Sequence, residues 1–417
     1  MLAGWRPGRA IGFEEHLAAH GPAPMPGGSR EGHELIAAVE RSGLTGRGGA
    51  GFSAGAKMRA VASGRRGRRV VVANGAEGEP ASRKDEVLLA GVPHLVLDGA
   101  VMAAAAVGAD EAIICVKGGA SRELRALELA IGERNSSDPV AVSLVEVPST
   151  FLAGEESALV NHLNTGRAIP TFVPPRPFER GVDGRPTLVQ NVETLAYLAL
   201  IARHGPEWFR LVGTPEDPGS NLVTLCGTVA RPGVYEESGG ISLGALVEHA
   251  GGATAPLQAF LVGGYAGTWF AAERASGVCL GHAAMRTQRA ALGAGVVVAL
   301  PASACGVCET ARVARYLAEE SAGQCGPCVH GLRAIADALQ DIAEGVGEPG
   351  THLWVSKWAE DVVGRGACGH PDGVVRFVAS ALSVFRDAVD RHESGEPCDA
   401  FEAGAWALPL PELAEVR

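Results

Sequence analysis

Five of the nine cysteines, Cys305, Cys308, Cys325, Cys328 and Cys368, fall in one stretch of the chain, while Cys115, Cys226, Cys279 and Cys398 are scattered. Clustered thiolates are soft metal ligands, so this stretch points to metal or redox chemistry rather than to a disulfide framework. On spacing alone, Cys305-x-x-Cys308 and Cys325-x-x-Cys328, separated by sixteen residues, match a structural Cys₄ zinc site. A second chemistry is carried by glycine. Gly46-Arg47-Gly48-Gly49-Ala50-Gly51-Phe52-Ser53-Ala54-Gly55-Ala56-Lys57 contains G-x-G-x-x-G at 46, 48 and 51, where missing side chains let backbone N–H groups approach a phosphate. Arg47 and Lys57 add positive charge, so the loop suits an anionic cofactor.

Those residues need elements to hold them. Leu35, Ile36 and Val39 share a face and predict a helix over His33–Ser42, which precedes the glycine loop. The ordinary dinucleotide fingerprint requires a strand there, and Gly55-Ala56-Lys57 is not the Gly-Lys-Ser/Thr of a P-loop. Arg69–Ala73 and Ala112–Val116 predict buried strands separated by an Ala-rich helix over Val96–Val107, which implies a parallel sheet with covered faces. Strand one ends in Asn74-Gly75-Ala76-Glu77-Gly78-Glu79-Pro80, with Lys84 and Asp85 following. Polar groups at the carboxyl end of such a strand sit where α/β sheets place ligands. Gly154-Glu155-Glu156 precedes a helical run, where carboxylates stabilise a helix N-terminus through its dipole.

The period changes between 220 and 300. Leu222–Leu225 and Ala259–Val262 read as strands, Ser242 heads a short helix ended by Gly251-Gly252, and Val296–Val298 reads as a buried strand. Beyond 305 the apolar stripes are helical: Val313, Tyr316 and Leu317; Leu332, Ile335, Leu339 and Ile342; and Val374, Phe377, Val378, Leu382, Phe385 and Val389. The expected organisation is an N-terminal extension over 1–30, an α/β domain over 31–215, a small α+β module over 216–302 and a helical bundle over 303–417.

Composition bounds the function. The 417 residues include 57 Gly and 25 Pro, yet 47% are hydrophobic and 20% charged, which excludes a disordered or collagenous chain. A net charge of −11 argues against phosphate-backbone binding, so no nucleic acid partner is expected. The N-terminus has no signal-peptide pattern and no stretch reads as a membrane span, so a cytoplasmic chain is expected.

Taken in order, Gly46–Phe52, Asn74–Pro80, Gly154-Glu155-Glu156, Asn191-Val192-Glu193-Thr194-Leu195 and Gly323-Gln324-Cys325-Gly326-Pro327-Cys328 resemble the NADH-binding flavoprotein subunit of respiratory complex I. They equally resemble the diaphorase subunits of NAD-linked hydrogenases and formate dehydrogenases. The resemblance runs from about residue 30 to 395. It implies a Rossmann-like FMN domain, a β-grasp module of the soluble-ligand-binding type and a C-terminal helical bundle carrying a [4Fe–4S] cluster. It also implies a flavin-dependent oxidoreductase in which NAD(H) or NADP(H) gives a hydride to FMN and single electrons leave through the cluster. Gly46, Arg47, Gly48, Gly49, Lys57, Asn74, Glu77, Gly154, Glu155, Glu156 and Asn191 then correspond to flavin contacts, and Phe52, Glu79 and Glu156 to the nicotinamide side. The implied partner is a separate electron-accepting protein, a ferredoxin or [2Fe–2S] subunit, in a hetero-oligomer.

Several positions depart from that pattern. Ala76 replaces an acid in the Asn-x-Asp-Glu turn, Ala60 an aromatic, and Val173 and Arg176 a Lys and a Phe, so the dinucleotide grip is reduced more than the flavin grip. Arg176 could meet a 2′-phosphate and favour NADPH. Ala322 stands at the first of the three closely spaced cluster cysteines, leaving Cys325, Cys328 and Cys368. Cys305, Cys308, His370, His330 and Asp372 are candidates for the fourth ligand, as is an open iron. An electron relay lacking nicotinamide binding and a zinc-stapled interaction scaffold are the competing readings.

Overall fold

The computed structural model describes all residues except 3, 6, 65–66, 135–137, 397, 399–405 and 412–417. The chain packs as two units, one of Met1–Gly78, Arg83–Leu222 and Glu236–Gly240, the other of Glu79–Ser82, Val223–Tyr235 and Ile241–Arg417.

In the first unit the chain runs through α1 (Phe13–His20), α2 (Ser29–Ser42), α3 (Ala54–Ala62), β1 (Val70–Gly75), α4 (Lys84–Gly91), α5 (Pro93–Val107), β2 (Glu111–Lys117), α6 (Ser121–Arg134), β3 (Ala141–Val147), α7 (Glu156–Thr165), β4 (Thr187–Asn191), α8 (Val192–His204) and the short α9 (Pro206–Phe209). The four strands form a parallel sheet in the order β3-β2-β1-β4. Val70–Ala73 are fully buried, the continuous apolar run expected of a strand covered on both faces, whereas edge strand β3 alternates exposed and half-buried positions. From β1 the sheet grows one way through β2 and β3 and the other way to β4. The β1/β4 boundary is therefore the topological switch point, the crevice where open α/β sheets bind ligands.

Helix α5 starts with Pro93 in its first turn, stops at left-handed Gly108, and is buried over almost all its length. A Cβ at Gly99 would lie 2.0 Å from the Leu195 carbonyl oxygen, so this glycine is what lets α5 and α8 close. Asp98 of α5 is buried among His16, Arg134 and Arg203. Burial alone would raise its pKa, but the His16 and Arg134 contacts hold it well below the carboxylate range.

The second unit contains β5 (Ser220–Gly227) from Val223 onward, β6 (Gly233–Ser238) as far as Tyr235, β7 (Ile241–Ser242), α10 (Leu243–His249), β8 (Leu257–Val262), β9 (Thr268–Ala271), β10 (Cys279–Leu280), α11 (His282–Thr287) and β11 (Val296–Pro301). Its five-stranded sheet has the order β6-β5-β11-β8-β9, with β11 parallel to β5 and antiparallel to β8. Ser242 caps α10 as its position predicts, its Oγ accepting from the Ala245 N–H at 3.2 Å.

The helices α12 (Gly306–Glu319), a π-helical turn (Pro327–Leu332), α13 (Arg333–Glu344), α14 (Thr351–Val362), α15 (His370–Val384) and α16 (Arg386–Glu393) follow. The long apolar stripe Val374–Val389 is split in two at Phe385. Trp269 of β9 lies 6.1 Å from the ring of Phe377 and 5.1 Å from that of Phe385, joining sheet and bundle in one unit. Among the described residues no single helix is long and apolar enough to cross a membrane.

Candidate cofactor sites

The loop between α2 and α3 closes at its base. Gly46 N–H donates to the Phe52 carbonyl at 2.7 Å and Ala54 N–H to that of Leu44 at 2.9 Å. Gly49 (φ 112°) and Gly51 (φ 64°) turn the chain in conformations that L side chains resist. Among the described residues, no hydrogen bond within the chain uses the N–H groups of Gly48, Gly49 or Gly51. Ser53 then caps α3, with Lys57 in the helix's opening turns. The loop is tied to the switch point: Arg47 N–H donates to Thr194 Oγ1 at 2.9 Å, and Gly48 sits against Asn191. A glycine turn of open donors at a helix N-terminus beside Lys57 is a phosphate-type cradle.

Beneath it lies a polar hub that sequence reasoning only partly found. Lys84, 3% exposed, places Nζ 2.6 Å from Asp85 Oδ1, 3.2 Å from Glu193 Oε2 and 3.1 Å from Asn191 Oδ1. Burial would lower its pKa, but Asp85, Glu193 and Glu77 raise it above the lysine value; burial in turn pushes Glu193 up despite Lys84 and Arg47. Lys84 therefore stays charged. Asn191 is saturated: Oδ1 also accepts from the Glu193 N–H at 3.0 Å, and Nδ2 donates to Asp85 Oδ2 at 2.7 Å and the Asn74 carbonyl at 3.2 Å.

The other sequence-chosen positions take particular places. The Arg47 guanidinium is 6% exposed and committed to Thr45 Oγ1 (3.1 Å), the Ser220 carbonyl (3.1 Å) and the side of Glu193 (4.0 Å), with its carbon 5.6 Å from the Tyr197 ring centre. These contacts brace the loop. Asn74 Nδ2 donates to the Gly154 carbonyl at 2.8 Å, and Glu77 accepts the Asp85 and Glu86 N–H groups, capping α4. Glu155 caps α7 by accepting from the Ser157 and Ala158 N–H groups, while Glu156 pairs with Lys57 at 2.9 Å. Gly154 admits the Ala76 carbonyl, which a Cβ would meet at 2.4 Å, so this glycine serves backbone packing. Phe52 is 67% exposed beside the cradle. Glu79 belongs to the second unit, where Oε2 accepts the Tyr265 N–H at 2.9 Å.

None of the nine cysteines is in a disulfide. Cys325 and Cys328 flank the start of the π-helical turn and Cys368 precedes α15. Burial, followed by the nearby Cys368 and Cys325, pushes the Cys328 thiol up to about 12. His370 Nε2 bonds the Leu317 carbonyl at 2.8 Å, fixing this group at the C-terminal end of α12.

Cys305 and Cys308 stand elsewhere and do not complete that set. Cys305 sits at the N-cap of α12 and Cys308 lies in its first turn, so the 14-residue helix, about 21 Å long, separates the two cysteine groups. The Cys₄ zinc set read from spacing fails for the same reason. Sequence reasoning missed their actual neighbours, His392 and Cys398: the ligand atoms of Cys305, Cys308, His392 and Cys398 all lie within 4.8 Å of one another.

A switch-point cradle for a phosphate-bearing ligand and a helical bundle with clustered cysteines define a protein built to hold an anionic cofactor and a thiolate-bound metal centre. Residues 39–199 match the Nuo51 FMN-binding domain, 303–392 the NADH-ubiquinone oxidoreductase-F iron-sulfur binding region and 222–264 the SLBB domain. The chain is 32% identical to the NADH-quinone oxidoreductase F subunit of Streptomyces coelicolor over 90% of its own length and 86% of the relative's, and 31% identical to that of Mycobacterium tuberculosis over 88% and 86%. Two crystal structures of NAD⁺-reducing [NiFe]-hydrogenase contain similar chains. The air-oxidized form superposes with TM-score 0.84 at 29% identity and the H₂-reduced form with 0.81 at 31%. This chain is covered over 96% and 87% of its length and spans 72% and 63% of theirs. The chain belongs to the family of NADH-quinone oxidoreductase F subunits and is a flavin-dependent oxidoreductase component carrying that family's FMN-binding and iron–sulfur domains.

Proposed function

We propose that this chain binds FMN over the Gly46–Lys57 loop, takes a hydride there from NADH, and sends electrons through a [4Fe–4S] cluster held by Cys325, Cys328 and Cys368. The observation that carries this reading is the cradle: Gly48, Gly49 and Gly51 hold donors outside the chain's own bonding, at the switch point and beside Lys57. When bound, FMN accepts two electrons as a hydride and releases them one at a time, which is the chemistry this chain borrows.

The residues of the chain supply binding and position. The loop N–H groups and Lys57 would hold the phosphate end, and Glu156 holds Lys57 at 2.9 Å. Arg47, Lys84, Asp85, Asn191 and Glu193 act from beneath, locking the loop and the ends of β1 and β4 so that the donors are preorganised. Glu77 and Glu155 act as helix caps behind the site. Exposed Phe52 offers an aromatic face to a nicotinamide. In the bundle, three thiolates suit a cluster whose fourth iron takes a non-cysteine ligand, because Ala322 carries no donor.

The acceptor is a separate ferredoxin or [2Fe–2S] subunit within a hetero-oligomer. Support comes from the relatives, which are named as subunits of NADH-quinone oxidoreductase. Nine cysteines outside disulfides suit a cytoplasmic setting. The test is the visible spectrum of anaerobically purified protein before and after NADH or NADPH. Bleaching of flavin absorbance by NADH is expected. Bleaching by NADPH alone would assign Arg176 to a 2′-phosphate, flavin that neither nucleotide bleaches would make the chain a relay, and absence of flavin would overturn the cradle.

A further inference from the structure

At the end of the bundle opposite Cys325, Cys328 and Cys368, the structure assigns a second metal centre: a zinc site of Cys305, Cys308, His392 and Cys398. Cys308 and His392 are 1% and 2% exposed. Cys305 Sγ lies 3.5 Å from His392 Nε2 and Cys308 Sγ 3.5 Å from Cys398 Sγ, with all four ligand atoms inside 4.8 Å. A tetrahedral Zn²⁺ with Zn–S of about 2.3 Å and Zn–N of about 2.0–2.1 Å sets ligand atoms about 3.8 Å apart for S–S and about 3.6 Å for S–N. The four atoms already stand close to those separations. An iron–sulfur cluster spreads its protein ligands over several irons, whereas ligand atoms this close converge on one ion.

The histidine supplies a second, independent argument. Its Nδ1 faces the carbonyl oxygens of Ile342 at 3.2 Å and Ala343 at 3.0 Å, at the C-terminus of α13. Carbonyls only accept, so Nδ1 carries the hydrogen and Nε2 turns its lone pair toward the three sulfurs. A backbone carbonyl fixing the far nitrogen is the usual support of a metal-bound histidine.

The topology shows what the ion does. Cys305 and Cys308 come from the start of α12, His392 from the last helix, and Cys398 from beyond the left-handed Gly395 (φ 81°). Further along the sequence, the Ala407 N–H donates to Glu309 Oε1, and the Arg312 guanidinium carbon sits 4.1 Å from the Trp406 ring centre. All four coordination positions are protein side chains, leaving no open position for substrate, so the role is structural. The site clasps the C-terminal segment to the start of the bundle.

This inference stands apart from the flavin reading. The test is elemental analysis of the anaerobically purified full chain for zinc, iron and acid-labile sulfide, with zinc-edge X-ray absorption. About one zinc per chain in an S₃N shell is expected, in addition to cluster iron. His392→Ala and Cys398→Ser should each lose most of that zinc while flavin, iron and sulfide stay at wild-type ratios, and His392→Cys should retain it. Wild-type protein without zinc, iron without sulfide bound by these residues, or a Cys308–Cys398 disulfide in mass spectra of the reduced preparation would each overturn the site. Retention of zinc by both His392→Ala and Cys398→Ser would do the same.

Discussion

The two ends of the α12–α13 hairpin are built from the same residue type and differ in completeness. At one end, Cys368 and Cys325 lie near enough to Cys328 to act on its thiol, and Ala322 adds no fourth sulfur. At the other, three cysteines and a histidine converge, and two carbonyls orient the histidine. A cluster brings its own inorganic sulfide and can leave one iron to an outside ligand, so three thiolates can hold it. A structural zinc ion brings nothing, so the protein supplies the whole shell. As proposed, the incomplete set serves electron transfer and the complete one a clasp.

The strongest break in that comparison is Cys328→Ala. Removing one of three thiolates should abolish cluster iron and sulfide while zinc stays, and metal analysis reads both. Next, Cys398→Ser should reverse the pattern, releasing zinc and sparing the cluster. It should also lower the melting temperature in calorimetry by roughly 2–4 °C for each kcal/mol of lost clasp energy.

Lys84→Ala lies outside the bundle and separates flavin from metal. It leaves Asp85 and Glu193 buried without their cation, which should cost about 3–5 kcal/mol in denaturant unfolding of the flavin unit, with zinc and iron unchanged. Gly306→Ala should cost about 1–3 kcal/mol and weaken the zinc end alone, because a Cβ there would lie 2.3 Å from the buried Phe385 ring. The smallest change is a gain. Ala322→Cys should slow loss of cluster iron in air, and an unchanged rate would mean that the fourth position is already filled from elsewhere.

Much of the fold was legible because its signals are local. The buried valine run of β1, the alanines of α5, the Ser242 cap and the apolar stripes of α12 and α13 are read within single segments, and their order implied the parallel sheet. The glycine loop was legible for the same reason. The competition for each polar side chain was not. Arg47, Glu77, Glu155 and Asn191 stand at motif positions that resemble flavin contacts, and only the structure shows that their side chains also engage Ser220, α4, α7 and Lys84. A carboxylate at a helix start looks the same in sequence whether it caps that helix or meets a ligand.

By itself the sequence determined the periodicities that make these helices and strands, the glycines that only certain turns require, and a family pattern long enough to identify cofactor chemistry. Only the tertiary structure decided which cysteines act together. Cys305 and Cys308 pair with Cys398, ninety residues beyond Cys308, and not with Cys325, which is much nearer in sequence. The physical reason is the rigid rise of α12, which carries residues near in sequence about 21 Å apart, while antiparallel packing returns distant ones to its start.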